Sequence, residues 1–134
     1  MSSLGFEVAL MQPFEKALAR TRDALKAEGF GVLTEVDLKA AFKEKIGKDF
    51  RQYVMLGACN PPLAFKAINA VSEIGLLLPC NVTVEAAGDE ASIVRLIDPE
   101  VMLGVGPLAG VPELKEVATD ARARLVRVAD SLRR

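Results

Sequence analysis

Residues 53–61 read YVMLGACNP, and this stretch decides the fold. The run from Tyr53 to Cys59 is unbroken by charged residues and has the length of a strand, which predicts a strand at the centre of a sheet. Asn60 and Pro61 then suit the start of a helix, because an Asn side chain accepts hydrogen bonds from unpaired backbone N–H groups and Pro has no N–H to leave unpaired. The stretch therefore predicts a strand that leads directly into a helix.

Similar patterns on both sides predict nine elements in the order β-α-β-α-β-α-β-β-α. The predicted strands cover residues 4–11, 31–36, 53–59, 82–87 and 92–97, and the last two form an antiparallel hairpin through Gly88-Asp89-Glu90. The predicted helices follow Pro13, Asp37, Asn60 and Pro112. We therefore expect an α+β fold: a single two-layer domain over residues 1–134, with a sheet of about five strands and helices packed mainly on one face.

Apolar spacing within the predicted helices indicates which side chains face the core. The first helix presents Phe14, Leu18, Thr21 and Leu25 and stops at Gly29. The second has an inner face of Leu38, Ala41, Phe42 and Ile46, closed by Gly47. The third has a stripe of Leu63, Ala64, Ala67, Ile68, Val71 and Ile74, ended by Gly75. The last presents Leu114, Val117, Ala121, Leu125, Val128 and Leu132.

Composition restricts the function. The net charge of −1, without clustered cations, gives no reason to expect nucleic-acid binding, and no apolar run approaches the roughly 20 residues needed to span a membrane. The first residues lack the pattern of a secretion signal, so we expect a cytoplasmic protein. Apolar residues make up 51% of the chain, which favours a homodimer, with Leu125, Val128 and Leu132 as one candidate face. We expect no metal and no cofactor, and the absence of histidine removes the commonest general base.

Three further segments are better explained by structure than by function. Glycines at positions 104, 106 and 110 resemble a dinucleotide-binding loop, but Pro107 removes a phosphate-binding N–H, so we interpret the segment as a flexible apolar connector. The basic stretch from Lys39 to Arg51 is typical of a solvated helix face. Asp98-Pro99 is interpreted as a turn that ends a strand.

Two Cys-Asn pairs beside prolines form the main candidate site: Cys59-Asn60-Pro61 and Pro79-Cys80-Asn81. Cys59 directly precedes a helix N-terminus, where orphan N–H groups and the positive end of the helix dipole favour a thiolate. We therefore predict that Cys59 has the lower pKa and the higher reactivity of the two cysteines. Taken singly, however, a free cysteine is more often a small buried apolar residue, and in a reducing compartment both should be free thiols.

These motifs resemble the family catalogued as domain of unknown function 302. The resemblance rests on YVMLGACNP, on residues 78–82 (LPCNV) and on Asp98-Pro99, and it covers nearly the whole chain. It implies a small cytoplasmic α+β domain, dimeric and without an established activity. By position it singles out Cys59, Asn60, Pro61, Cys80 and Asn81, together with Pro79, as candidate ligand-binding residues, and it transfers no catalytic role.

Three interpretations of function remain open at this point. The first is a homodimeric binding module for a small anionic or thiol-reactive ligand near Cys59 and Asn60. The second is a thiol-dependent enzyme or redox protein, in which Cys59 is the nucleophile and Cys80 assists. The third is an interaction protein with no small-molecule site. The discriminating observation is whether Cys59 and Cys80 share a concave pocket.

Overall fold

The computed structural model describes residues 3–134. The strands are β1 (Gly5–Leu10), β2 (Gly31–Asp37), β3 (Tyr53–Cys59), β4 (Cys80–Ala86) and β5 (Ser92–Ile97). The α-helices are α1 (Phe14–Ala27), α2 (Leu38–Ile46), α3 (Pro61–Ala70), α4 (Pro99–Met102) and α5 (Pro112–Leu132). Two 3₁₀ helices lie between them, Ser72–Leu77 and Gly106–Gly110. The predicted α+β class is confirmed.

The five strands form one sheet in the order β1-β5-β4-β3-β2, and every neighbouring pair is antiparallel. The predicted hairpin is β4–β5, joined through Gly88 at φ 114°. The prediction that residues 53–59 form the central strand is wrong, because β4 holds that place and β3 lies between it and the edge strand β2. An apolar run shows that a strand is buried but not where it stands in the sheet.

Helices α1 and α5 cover one face of the sheet. Apolar side chains alternate along β1, β4 and β5, so one side of each of these strands enters the core while the other does not. The main core combines strand residues with the inner faces of the two helices: Val8, Val54, Leu56, Val82, Val84, Val94, Leu96, Phe14, Ala17, Leu25, Leu125, Val128 and Leu132. The candidate dimer face on the last helix is therefore wrong, because Leu125, Val128 and Leu132 are at most 1% exposed within their own chain.

A second, smaller apolar cluster lies beside the main core. It joins α3, the two 3₁₀ helices, α4 and the first half of α5, and its buried members are Ala67, Ile74, Leu103, Leu114, Val117 and Ala118. Helix α5 thus packs with its first turns on this cluster and with its later turns on the main core. All six predicted inward positions of α5 are buried.

Three local predictions differ from the structure. Helix α2 is capped by Asp37 as predicted, with Ala40 N–H donating to its carboxylate at 3.0 Å, but none of its residues is buried and Ile46 is 64% exposed. Helix α3 ends at Ala70 rather than near Gly75, because a 3₁₀ helix takes over at Ser72. The Gly-rich segment is not a plain connector, since it contains the 3₁₀ helix Gly106–Gly110.

Candidate functional site

A cavity of about 290 Å³ lies between the main core and the second cluster. Phe30 and Leu33 form one wall, and α3 contributes Leu63, Ala64 and Ala67 to another. Further walls come from the segment Pro99–Leu103 and from α5. Nearly all of these side chains are apolar, which is the usual lining of a small-molecule pocket.

Both cysteines line this cavity. Cys59 ends β3, Cys80 begins β4, and Ala58 is the direct partner of Cys80, so Cys59 lies one position past that partner on the adjacent strand. Both are free thiols; Cys59 is half-buried, and Cys80 is buried with 7% exposure. The two motifs that stand far apart in the sequence therefore place their cysteines in one concave site.

The surroundings of the two thiols favour their neutral forms. Burial raises the pKa of Cys59 above its usual value. Burial, and next the proximity of Cys59, raise the pKa of Cys80 to about 11. Burial therefore acts against the lowering of the Cys59 pKa that was expected at the α3 N-terminus, and the pKa is raised instead.

We expect the rate at which each cysteine is alkylated in the folded protein to follow the exposure of its side chain. With iodoacetamide at pH 8 we expect Cys59 to be modified before Cys80, since Cys59 is half-buried while Cys80 is buried with the higher barrier to ionisation. Because the pKa of Cys80 is raised to about 11, its thiolate fraction and its rate should keep increasing as the pH rises toward that value. Site-resolved mass spectrometry measures both rates, and Cys80→Ala, which should lack only the slow modification, is the control. If Cys80 were modified first, the order of exposure of the two thiols would be contradicted. If the thiol count rose after reductant, the cysteines would not both be free thiols.

Asn60 positions the start of α3 at the cavity wall. Its side-chain oxygen accepts a hydrogen bond from Leu63 N–H at 3.3 Å, and its backbone carbonyl accepts from Ala64 N–H at 2.9 Å, as predicted for an N-cap. The Asn60 amide also lies close to Gly29, where a Cβ atom would come within 3.0 Å of its nitrogen. Gly29 has φ +84°, so a residue without a side chain suits this turn in both space and backbone conformation.

The structure separates the other predicted site residues. Pro79 lines the cavity beside Cys80. Pro61 occupies the first turn of α3 but is exposed and does not line the cavity. Asn81 is exposed and lines a shallow depression on the opposite face of the sheet, with Thr83 and Arg95. Strand alternation explains the split, since consecutive residues of β4 point to opposite faces.

Sequence reasoning missed the wall formed by Pro99, Met102 and Leu103. Asp98 is the N-cap of α4, where its carboxylate accepts from Glu100 N–H at 2.9 Å, and it pairs with Arg122 of α5 at 3.3 Å. An Asp-Pro pair at a strand end fits a helix start as well as a turn, because Pro is favoured at the first helical position. The Asp98-Pro99 pair could therefore have predicted the start of α4, and with it this wall of the cavity.

These features define a class: a small two-layer α+β protein with an antiparallel sheet and an apolar cavity where two cysteine-bearing strand ends meet. The family model described as "Domain of unknown function DUF302" matches residues 6–132, so the chain belongs to this family. It is similar to a solved structure described as an uncharacterized conserved protein DUF302 from Bacillus stearothermophilus, with 29% identity and a TM-score of 0.84. The match covers 98% of this chain and 100% of that one. No curated protein matches.

No helix within residues 3–134 combines the length and apolar character needed to cross a membrane. Within the same range, no three or more His, Cys, Asp or Glu side chains are grouped so that they could hold a metal ion.

Proposed function

We propose that this protein binds a small, uncharged, mainly apolar molecule in the cavity between its two apolar clusters. The observation that carries the proposal is the cavity itself, about 290 Å³ and lined by apolar side chains from β3, α3, α4 and α5 around two thiols. Binding there removes apolar ligand surface from water, which contributes about 25 cal/mol per Å². The thiols of Cys59 and Cys80 then offer polarisable, weakly polar contacts.

An anionic ligand, which the sequence favoured, has less support. The Asn60 side chain already accepts from one N–H at the α3 N-terminus, and the basic residues between Lys39 and Arg51 do not line the cavity. A charge placed among apolar walls would lose its hydration without a partner. A thiol enzyme is also less well supported, because the raised pKa values of Cys59 and Cys80 leave little thiolate at neutral pH.

A matched pair of fluorescent probes tests the ligand class. N-phenyl-1-naphthylamine is uncharged, whereas 1-anilinonaphthalene-8-sulfonate has the same ring system and a sulfonate group. We expect saturable fluorescence enhancement and tighter binding for the uncharged probe, measured by titration into the wild-type protein. Tighter binding of the sulfonate would favour the anionic ligand instead, and no saturable binding of either probe would contradict the proposed cavity function.

Filling the cavity should remove the binding. Ala64 is half-buried and lines the cavity, so Ala64→Phe places a phenyl ring in the space that the probe needs. We expect binding of N-phenyl-1-naphthylamine to weaken by at least about tenfold, equivalent to ~1.4 kcal/mol. Ala70→Phe is the matched control, because Ala70 is exposed at the end of the same helix and does not line the cavity. Equal binding by both variants, with circular dichroism showing that both are folded, would place the probe elsewhere.

We also propose that the protein is a homodimer and works in the cytoplasm, where both thiols stay reduced. Support for self-association comes from large apolar side chains left exposed in the single chain. Val36, which is paired with Met55 on the neighbouring strand, is 40% exposed, and Ile46 of α2 is 64% exposed. Exposed apolar surface on this scale favours a protein partner.

A further inference from the structure

Among residues 3–134, no helical layer crosses the middle of one face of the sheet. Residues directly opposite each other on paired strands share a face, which places Glu7, Arg95, Thr83 and Met55 together on the face away from α1 and α5. Helix α2 reaches only one end of it, where Phe42 contacts Phe50 and Phe50 contacts Tyr53. We call this surface the open face.

A row of alternating charges crosses the open face. Glu7 of β1 pairs with Arg95 of β5 at 2.8 Å, Arg95 pairs with Glu85 of β4, and Glu85 pairs with Arg51, just before β3, at 2.6 Å. The signs along the row are therefore minus, plus, minus, plus. The Glu85 side chain is 7% exposed, whereas Arg95 is 39%, Glu7 40% and Arg51 50% exposed, so both ends of the row are accessible and Glu85 is its buried member.

The row is held in place by its own pairing. Burial alone would raise the pKa of Glu85, but hydrogen bonds from Arg51 and Arg95 outweigh it and lower the pKa. The Arg51 guanidinium also lies 4.4 Å from the centre of the Phe50 ring, which fixes its position further. A preorganised row of this kind presents the same charge pattern to any partner.

We propose that a second copy of this chain covers the open face, with the two-fold axis crossing the row between Arg95 and Glu85. This inference rests on the homodimer proposed above. A two-fold axis that lies in the interface at right angles to the row reverses the order of charges in the partner. Minus, plus, minus, plus then faces plus, minus, plus, minus, so each charge meets its opposite.

The order of the charges along the row favours a second copy of this chain over another kind of partner. The four charges sum to zero, which does not suit a polyanion such as nucleic acid or an anionic membrane surface. The flanking side chains Tyr53, Met55, Ile93 and Ile97 are half-buried in the single chain and would be covered on association. Together they give an apolar surface crossed by a self-complementary charge row, as in interfaces where charges fix the orientation.

Charge reversal at the two accessible ends tests the pairing. In the proposed dimer Glu7 faces Arg51 of the second copy, so Glu7→Arg creates two plus-plus contacts and Arg51→Glu creates two minus-minus contacts. We expect each single variant to dimerise at least about tenfold more weakly than wild type at low ionic strength. An equimolar mixture of the two variants should form a heterodimer, because every position then meets its opposite charge, and the double variant Glu7→Arg/Arg51→Glu should regain its homodimer for the same reason.

Light scattering and analytical ultracentrifugation over a concentration series measure these states, with circular dichroism to show that each variant is folded. Asp130→Arg is the control and should stay dimeric, because Asp130 is exposed on α5, on the other side of the sheet. A monomeric wild type at every concentration would overturn both the homodimer and the open-face interface. If the wild type is dimeric, two results would overturn the open-face interface alone. The first is that the single variants stay dimeric. The second is that they become monomeric but dimer formation returns neither in the mixture nor in the double variant.

Discussion

Replacing Leu125 by Ala is expected to lower the free energy of unfolding by about 2–5 kcal/mol. Leu125 is 0% exposed and lies in the main core, where α5 packs against the sheet. The cost combines the lost transfer free energy of the removed carbons with the cavity that the tightly packed neighbours cannot close. Urea denaturation followed by circular dichroism measures this change.

Leu114→Ala is the matched comparison on the same helix. Leu114 is 1% exposed but belongs to the smaller cluster, several of whose neighbours, such as Met102 and Leu108, are only partly buried. Partly buried neighbours can relax into vacated space, so we expect a smaller loss, about 2 kcal/mol. A loss from Leu114→Ala that equals or exceeds the loss from Leu125→Ala would show that the second cluster, rather than the sheet core, dominates stability.

Gly57→Ala should also destabilise the protein, by about 1–3 kcal/mol, because it overpacks a tight position. A Cβ atom at Gly57 would collide with the Thr34 hydroxyl on β2 and would lie 2.8 Å from the Pro79 ring. Both neighbours belong to segments that hold β3 in the sheet, so either β2 or the start of β4 must shift. Thermal and urea denaturation measure the loss.

Two variants separate this collision from a general intolerance of alanine. Gly110→Ala is the control, since nothing lies within 4 Å of a Cβ atom there and its φ is not positive, and we expect little change. Adding Thr34→Ala to Gly57→Ala removes one of the two colliding atoms and should recover part of the stability. A neutral Gly57→Ala would contradict the close packing of β2, β3 and Pro79.

Local signals in the sequence predicted local structure well. Asn60 and Asp37 cap their helices as expected, because capping depends on the few residues that follow. The depth of burial of α2 was not predictable, since the spacing of Phe42 and Ile46 shows an apolar face but not whether another element covers it. The central place of β4 was not predictable either, because strand order is set by contacts distant in sequence.

The same distinction applies to the candidate site. The motifs identified Cys59 and Cys80, and the structure places both at one cavity. The sequence could not show that Asn81 lies on the opposite face, nor that burial raises the pKa of Cys59. It also could not show that Met102 and Val117, from separate segments, meet at the same cavity, because that meeting depends on the tertiary fold.

The place of β1 at one end of the sheet bears on the order in which the chain folds. Three of the four strand pairings join consecutive strands, whereas β1 pairs with β5, from Leu10 with Ser92 to Gly5 with Ile97. The entropic cost of closing a loop grows with its length, so this pairing carries the largest closure cost of the four. The four consecutive strands can therefore assemble from shorter-range contacts, and the addition of β1 closes the longest loop in the sheet.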